Sequence, residues 1–408
     1  MNKTHPDLSI RIKNPAAFDK SLTAFKQSIT KPMSVNEFLS KFALLNSQFN
    51  DAHMLVFTRS QKGLAKEVIN NAGLFPFEVT VKNGKVYLAS LLGGQHSAFA
   101  KAEVISINEK PIKDIYTDLI ARMYRDTVKH RERLLSDKFA LFYWLFVSKG
   151  DQFKLTLQNG TISQTVEMPA SKTLPKSFNG KSFEQTFKFE VLDQQQALLT
   201  IDAFWWRDKP RFYQFTENVF KQLKEKQIEH LIIDIRNNGG GDDDMWKQGI
   251  VKYIANKPYQ HTSKYTKKII AKYMDEGETE GDVVTKVFDR FEQPVNDEPL
   301  KFSGKVSVVV GSYTYSSAIL FANTMQDFGF AEIVGEASAG YSWQTGGIQF
   351  LTLPNSQLKA VAPRFYLVRP SGKQLGLPVM PNKAFQDDVL KPQQLINTIM
   401  NEFNAPTN

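Results

Sequence analysis

The 408-residue chain contains no cysteine. Its absence excludes a disulfide framework, thiolate nucleophiles, cysteine-ligated zinc and iron–sulfur clusters. Nowhere does the sequence reach the roughly 18 consecutive apolar residues from which a membrane-spanning helix is read. The opening stretch, MNKTHPDLSI, lacks the apolar core of a secretory signal. The chain therefore reads as cytosolic or as a mature form whose signal has been removed. Internal repeats and low-complexity tracts are also missing.

What is present describes an ordinary globular protein. Hydrophobic residues make up 42% of the chain and charged residues 23%, too apolar a balance for a disordered chain. At about 150 residues per domain the length implies two or three domains. Such a chain buries roughly three quarters of its unfolded surface and needs no metal or cross-link to fold. Lysine and arginine number 51 against 42 acids, for a net charge of +9. A polyanion site would need that excess gathered on one face. The lysines are scattered instead, and the densest run (Lys264, Lys267, Lys268, Lys272) is followed at once by the acidic stretch from Asp275 to Asp282. No nucleic-acid partner is expected.

Three regions follow from the periodicity. Residues 1–73 read as an N-terminal helical segment. Phe38, Phe42, Leu45 and Phe49 recur at helical spacing after Ser34, and Glu37 completes a capping box. The turn Asn50-Asp51-Ala52-His53 then leads into a strand-like MLVF. Residues 74–175 read as a β-rich module, with hairpins at Asn83-Gly84 and Asn159-Gly160 and a helix beginning near Ile112. The composition of 170–181 is that of a linker. Residues 185–408 alternate strand and helix, the pattern of an α/β layer structure. HLIIDIR is a continuous apolar run suited to a buried parallel strand.

Two strand-to-helix junctions in the third region can carry chemistry. After HLIIDIR comes Asn237-Asn238-Gly239-Gly240-Gly241, where successive glycines let the backbone approach a ligand and aim N–H groups outward. The same residues also suit a plain tight turn. They form neither a P-loop nor a dinucleotide fingerprint. Asp242, Asp243 and Asp244 fit helix capping better than metal binding, and no metal is expected. The second junction, Tyr313-Thr314-Tyr315-Ser316-Ser317, follows the strand KVSVVVG. A serine there either caps the helix or is held exposed as a nucleophile. Of six histidines, only His53 lies in a turn directly before a strand, flanked by Asp51. Neutral imidazole is the usual proton acceptor for a serine, although a lone histidine can equally be structural.

Together these segments resemble peptidase family S41, the carboxyl-terminal processing and tricorn-like serine proteases. Four pieces occur in the family's order between about residue 35 and residue 385. LNSQFNDAHMLV is similar to the element that bears the histidine in one branch. AEVISINEKPIKDIYTDL is similar to the end of a PDZ-type module. HLIIDIRNNGGG and TYSSAILFANTMQDFGFAEIVGEASAG are similar to the two specific motifs of the catalytic core.

The resemblance implies a crotonase-like α/β spiral core, with a PDZ-like β-rich module and the N-terminal helical segment before it. It implies a serine endopeptidase acting on peptides or unfolded protein, without a cofactor, and a periplasmic or extracellular location. The nucleophile falls on Ser316. The oxyanion donors fall on the Ser317 amide and on Gly240 or Gly241. Processing proteases place a lysine where Tyr341 stands, which leaves His53 as the base, as in the tricorn-like branch. That branch's glutamate falls on Gln374 or Leu375, and its nearby aspartate on Asn382. The third catalytic member thus lies among Gln374, Glu336 and Asp51. A catalytically silent member that binds peptide or a hydrophobic ligand is the alternative. An acyl-thioester enzyme with coenzyme A affinity is a third reading, without a nucleotide motif to support it.

Overall fold

The computed structural model describes residues 3–12, 14–57, 60–71, 73–388 and 391–404. Two compact units emerge: Met1–Gly180 with Gly347–Pro363, and Lys181–Gly346 with Arg364–Asn408.

The first unit opens with helices. In Val35–Asn46 the capping box forms as its spacing implies: Glu37 N–H donates to Ser34 Oγ at 3.3 Å, and Ser34 N–H to the Glu37 carboxylate at 2.8 Å. Leu39, with Phe38 and Phe42 beside it, packs on Val56, Leu358 and Ala360. The last two belong to a hairpin (Gln349–Thr352 and Lys359–Ala362) from the C-terminal third of the chain. That hairpin pairs antiparallel with Leu55–Phe57, and the strand order is Leu55–Phe57, Lys359–Ala362, Gln349–Thr352.

The unit's larger sheet runs in the order Phe77–Lys82, Lys85–Leu91, Glu103–Ile107, Gln152–Asn159, Ile162–Pro169, all neighbours antiparallel. Phe77, Val79 and Val81 face the core while the residues between them do not, the alternation expected of a strand with one buried face. At the first hairpin Asn83 and Gly84 both take positive φ (53° and 78°), the requirement of a tight two-residue turn with primed geometry. The helix Val128–Phe146 covers this sheet and buries Leu135, Phe139 and Tyr143. Its aromatic-rich end, FALFYWLF, carries strand propensity, so the sequence pattern does not announce it as helical. Tertiary burial and the Thr127 cap decide the outcome.

The second unit is a mixed α/β structure. Its six-stranded sheet has the order Lys383–Ala384, Glu332–Gly335, Lys305–Val310, His230–Asp234, Gln196–Ile201, Phe187–Val191. All neighbours are parallel except the last pair. His230–Asp234 is buried along its whole length, which accounts for the apolar run Leu231-Ile232-Ile233 at its centre. Leu395, Ile396 and Ile399 of the helix Pro392–Asn404 pack on Leu198, Ile232, Val309 and Val334. A smaller antiparallel sheet contains Val283–Val287, Lys264–Lys268, Phe365–Val368 and Gln344–Gly346. In it Lys267 of the lysine-rich run pairs with Glu278 at 2.6 Å.

At the start of the central strands His230 is buried in a polar chain. Its Nδ1 meets Gln196 Oε1 at 3.0 Å and its Nε2 meets Ser307 Oγ at 2.8 Å. Burial pushes the ring's pKa down to about 4, so it stays neutral. Among the described residues no helix is long and apolar enough to cross a membrane.

Candidate active site

The C-terminal ends of the parallel strands carry both junctions. His230–Asp234 ends in a buried fork, where Arg236 binds Asp234 at 2.7 Å and Asp387 at 2.8 Å. The acid and the arginine of this motif therefore anchor the turn to the segment that precedes the last helix. Beyond them Asn238 is fully buried and organises the glycines. Its Nδ2 donates to Ile201 C=O at 3.1 Å, and its Oδ1 accepts Gly240 N–H at 2.8 Å.

The serine junction is stitched to this turn. Tyr315 N–H donates to Asn238 C=O at 3.0 Å, and Thr314 Oγ1 to Ile235 C=O at 2.9 Å. Ser316 then adopts φ 55° and ψ −125° and makes no side-chain cap. That conformation is foreign to residues bearing a Cβ and is the hallmark of a nucleophile held on a sharp strand-to-helix turn. Capping would require extended backbone and an engaged oxygen, so the cap reading fails on both counts. The carbonyl of Ser316 accepts a 2.9 Å bond from Nε2 of the buried Gln344, which fixes the elbow from its far side.

Gly240 lies directly against this serine. A Cβ built there would come within 2.7 Å of Ser316 Cβ and 2.9 Å of Ser317 N, so only glycine permits the approach. Gly240 N–H is committed to Asn238. The amides of Gly241 and Ser317 have no acceptor among the described residues. Ser317 sits at the first turn of Ser317–Asp327, where helical N–H groups point outward unpaired.

The acidic triplet divides its tasks. Asp242 caps the helix Asp243–Gly249 by accepting Asp244 N–H at 3.0 Å, and it also pairs with Lys209. Asp243 accepts a bond from the Ser317 hydroxyl, and Trp246 Nε1 donates to that hydroxyl at 3.0 Å. Ser317 is thus locked by its side chain while its amide stays available. Among the described residues no cluster of His, Cys, Asp or Glu could hold a metal ion.

The candidate third members are scattered. Glu336 accepts Asp387 N–H at 3.2 Å, on the arginine-fork side. Gln374 has positive φ (58°), and its Oε1 accepts Met380 N–H at 3.2 Å within its own loop. Leu375 is exposed. Asn382 Oδ1 accepts Ile333 N–H at 2.9 Å, a structural contact. Tyr341 is buried and bridges to Pro378. Asp51 belongs to the first unit with His53, whereas Ser316, Ser317, Gly240, Gly241, Glu336 and Gln374 belong to the second.

In the first unit two buried carboxylates hold the turn that bears His53. Asp51 Oδ1 accepts His53 N–H at 2.8 Å, and Asp126 Oδ1 accepts Ala52 N–H at 2.8 Å. Arg131 donates to Ser47 C=O at 2.7 Å and Asn50 Oδ1 at 2.9 Å, tying the same turn to the long helix. Asp126 is fully buried, and its pKa is raised by desolvation, against the pull of Arg11. It lies 74 residues from the turn it supports, so no local signal links the two. His53 itself is half-buried and lines a groove of about 530 Å³.

Known proteins resemble the chain in part of its sequence and in its fold. Residues 195–380 match the family described as Peptidase family S41. No curated protein matches the chain in sequence. Mature CPAF in complex with lactacystin has the same fold, with a TM-score of 0.69 at 13% identity over 98% of this chain and 94% of that one. A further CPAF crystal structure gives 0.71, also at 13% identity, over 98% and 93%. The photosystem II D1 C-terminal processing protease gives 0.45 at 13% identity over 94% and 89%. The match to peptidase family S41 thus spans the segment that carries both strand-to-helix junctions.

Proposed function

We propose that the chain is a serine-type endopeptidase in which Ser316 is the nucleophile and His53 the general base. The observation that carries this reading is the Ser316 elbow. A serine with φ 55° makes no cap and lies against a glycine that can bear no side chain. The S41 match over this segment and the CPAF-like fold support the same reading. The second unit acts as a crotonase-like catalytic core and the β-rich sheet of the first as a PDZ-like module. The latter takes peptide by strand addition at a sheet edge.

The reaction is acyl transfer. His53 takes the proton as Ser316 Oγ adds to the peptide carbonyl carbon. The resulting oxyanion is received by the Ser317 amide and the glycine turn, with Gly241 the donor because Gly240 N–H is committed. Each such donor is worth about 3 kcal/mol in the transition state. His53 then gives its proton to the leaving amine, the C–N bond breaks, and water activated by the same imidazole releases the acid. Asp51 and Asp126 hold the His53 turn through its backbone.

The test is hydrolysis of an unfolded protein such as reduced casein by purified wild type, Ser316→Ala and His53→Ala. Wild-type cleavage that disappears in both variants, with folding intact, supports the assignment. Undiminished cleavage by Ser316→Ala overturns it, and a folded, inert wild type favours the silent peptide binder instead.

A further inference from the structure

The groove beside His53 is formed by the first unit alone, and its charge is one-sided. Among the described residues its lining includes Lys62, Arg125 and Lys138 and no acidic residue. Tyr124 and Phe178 give it apolar, aromatic walls. The guanidinium of Arg125 lies 4.4 Å over the Tyr124 ring, and Lys138 Nζ lies 3.9 Å over the Phe178 ring. Such stacking holds both cations in place against a low-dielectric surface. Burial lowers the Lys138 pKa, the mark of an ammonium that has given up part of its hydration.

Two acids whose charge reaches Lys138, Glu78 and Asp137, also hold other groups. Glu78 Oε1 accepts Gly93 N–H at 2.9 Å and Lys176 N–H at 2.6 Å. The Asp137 carboxylate lies 4.0 Å from Arg133.

We infer that this groove is a specificity subsite that accepts an acidic side chain, aspartate or glutamate, of a bound peptide. At about 530 Å³ it has room for one residue and its neighbours. Partly desolvated cations over aromatic faces favour a carboxylate over its neutral amide, because the charge gains more there than in water. The inference rests on the peptidase reading, in which His53 is the general base and its groove receives part of the peptide.

Binding separates the two claims. Fluorescent peptides with amidated C-termini and a central Glu, Gln or Lys are titrated against full-length Ser316→Ala by anisotropy at low ionic strength. The expected order is Glu over Gln over Lys, with about a tenfold preference for Glu over Gln that fades as salt is added. Lys62→Glu, at an exposed position, and Lys138→Gln should each reduce that preference several-fold. The same order should appear in kcat/KM for the wild type. Equal binding of the Glu and Gln peptides overturns the subsite, as does a Glu preference that both variants retain. So does tighter binding of a Gln peptide with a free C-terminal carboxylate, which would make the groove a terminus site. If the preference holds while the wild type cleaves nothing, the subsite stands and the peptidase reading falls.

Discussion

Ser316 combines a reactive side-chain type with a backbone that disfavours it. A residue bearing a Cβ in this region of positive φ costs about 1–3 kcal/mol, which the surrounding bonds from Thr314, Tyr315 and Gln344 offset. Ser316→Gly should therefore raise unfolding stability by about 1 kcal/mol in urea denaturation while abolishing peptide hydrolysis. Gly240→Ala should instead lower stability. The new methyl would come within 2.7 Å of Ser316 Cβ and 2.8 Å of Tyr315 C=O at a φ of +102°. We expect a loss of more than about 2 kcal/mol together with activity, and a stable, active Gly240→Ala protein would contradict the packing described. At this scale the sequence identifies the serine and the glycine turn, because a nucleophile on a strand-to-helix turn needs those residue types in that order. It does not reveal Asn238, Gln344 or Asp243 as the groups that lock them. Their partners are carbonyls, amides and a hydroxyl that any sequence offers.

Elements were legible where local rules decide them. The Val35–Asn46 capping box and the Asn83-Gly84 hairpin form where turn and cap chemistry predicts, whereas the second hairpin turns one residue later than expected, at Gly160-Thr161, with Asn159 paired to Ile162 and Gly160 taking the positive φ. Ser34→Ala should cost about 1 kcal/mol of stability, measured by thermal or chemical unfolding. The helix Val128–Phe146 and the pairing of Leu55–Phe57 with Lys359–Ala362 were not legible, because each is settled by distant partners.

The buried His230 chain has an equally non-local consequence. Its folded pKa, about 4, lies below the ordinary imidazole value of 6.5, so the folded state binds fewer protons than the unfolded state. Its stabilising contribution is complete above pH 6.5 and is lost as pH falls through that value toward 4. Unfolding free energy should drop across that window by on the order of 3 kcal/mol from this group. His230→Gln should flatten the drop, and an unchanged pH slope in that variant would argue against a neutral buried ring.

At the scale of the whole molecule, the chain carries a segment, residues 195–380, that matches peptidase family S41, and a unit that holds His53 on a turn braced by two buried carboxylates. Activity should rise with pH as the base imidazole loses its proton, and a flat profile between about pH 5 and 8 would exclude a histidine base. The most direct test of the central claim is the mass of the intact protein after exposure to a fluorophosphonate, with the adduct mapped by peptide sequencing. The account predicts a single phosphonyl group on Ser316 of the wild type, absent in Ser316→Ala and much slower to form in His53→Ala. A folded wild type that takes no label, or takes it at another serine, would contradict it.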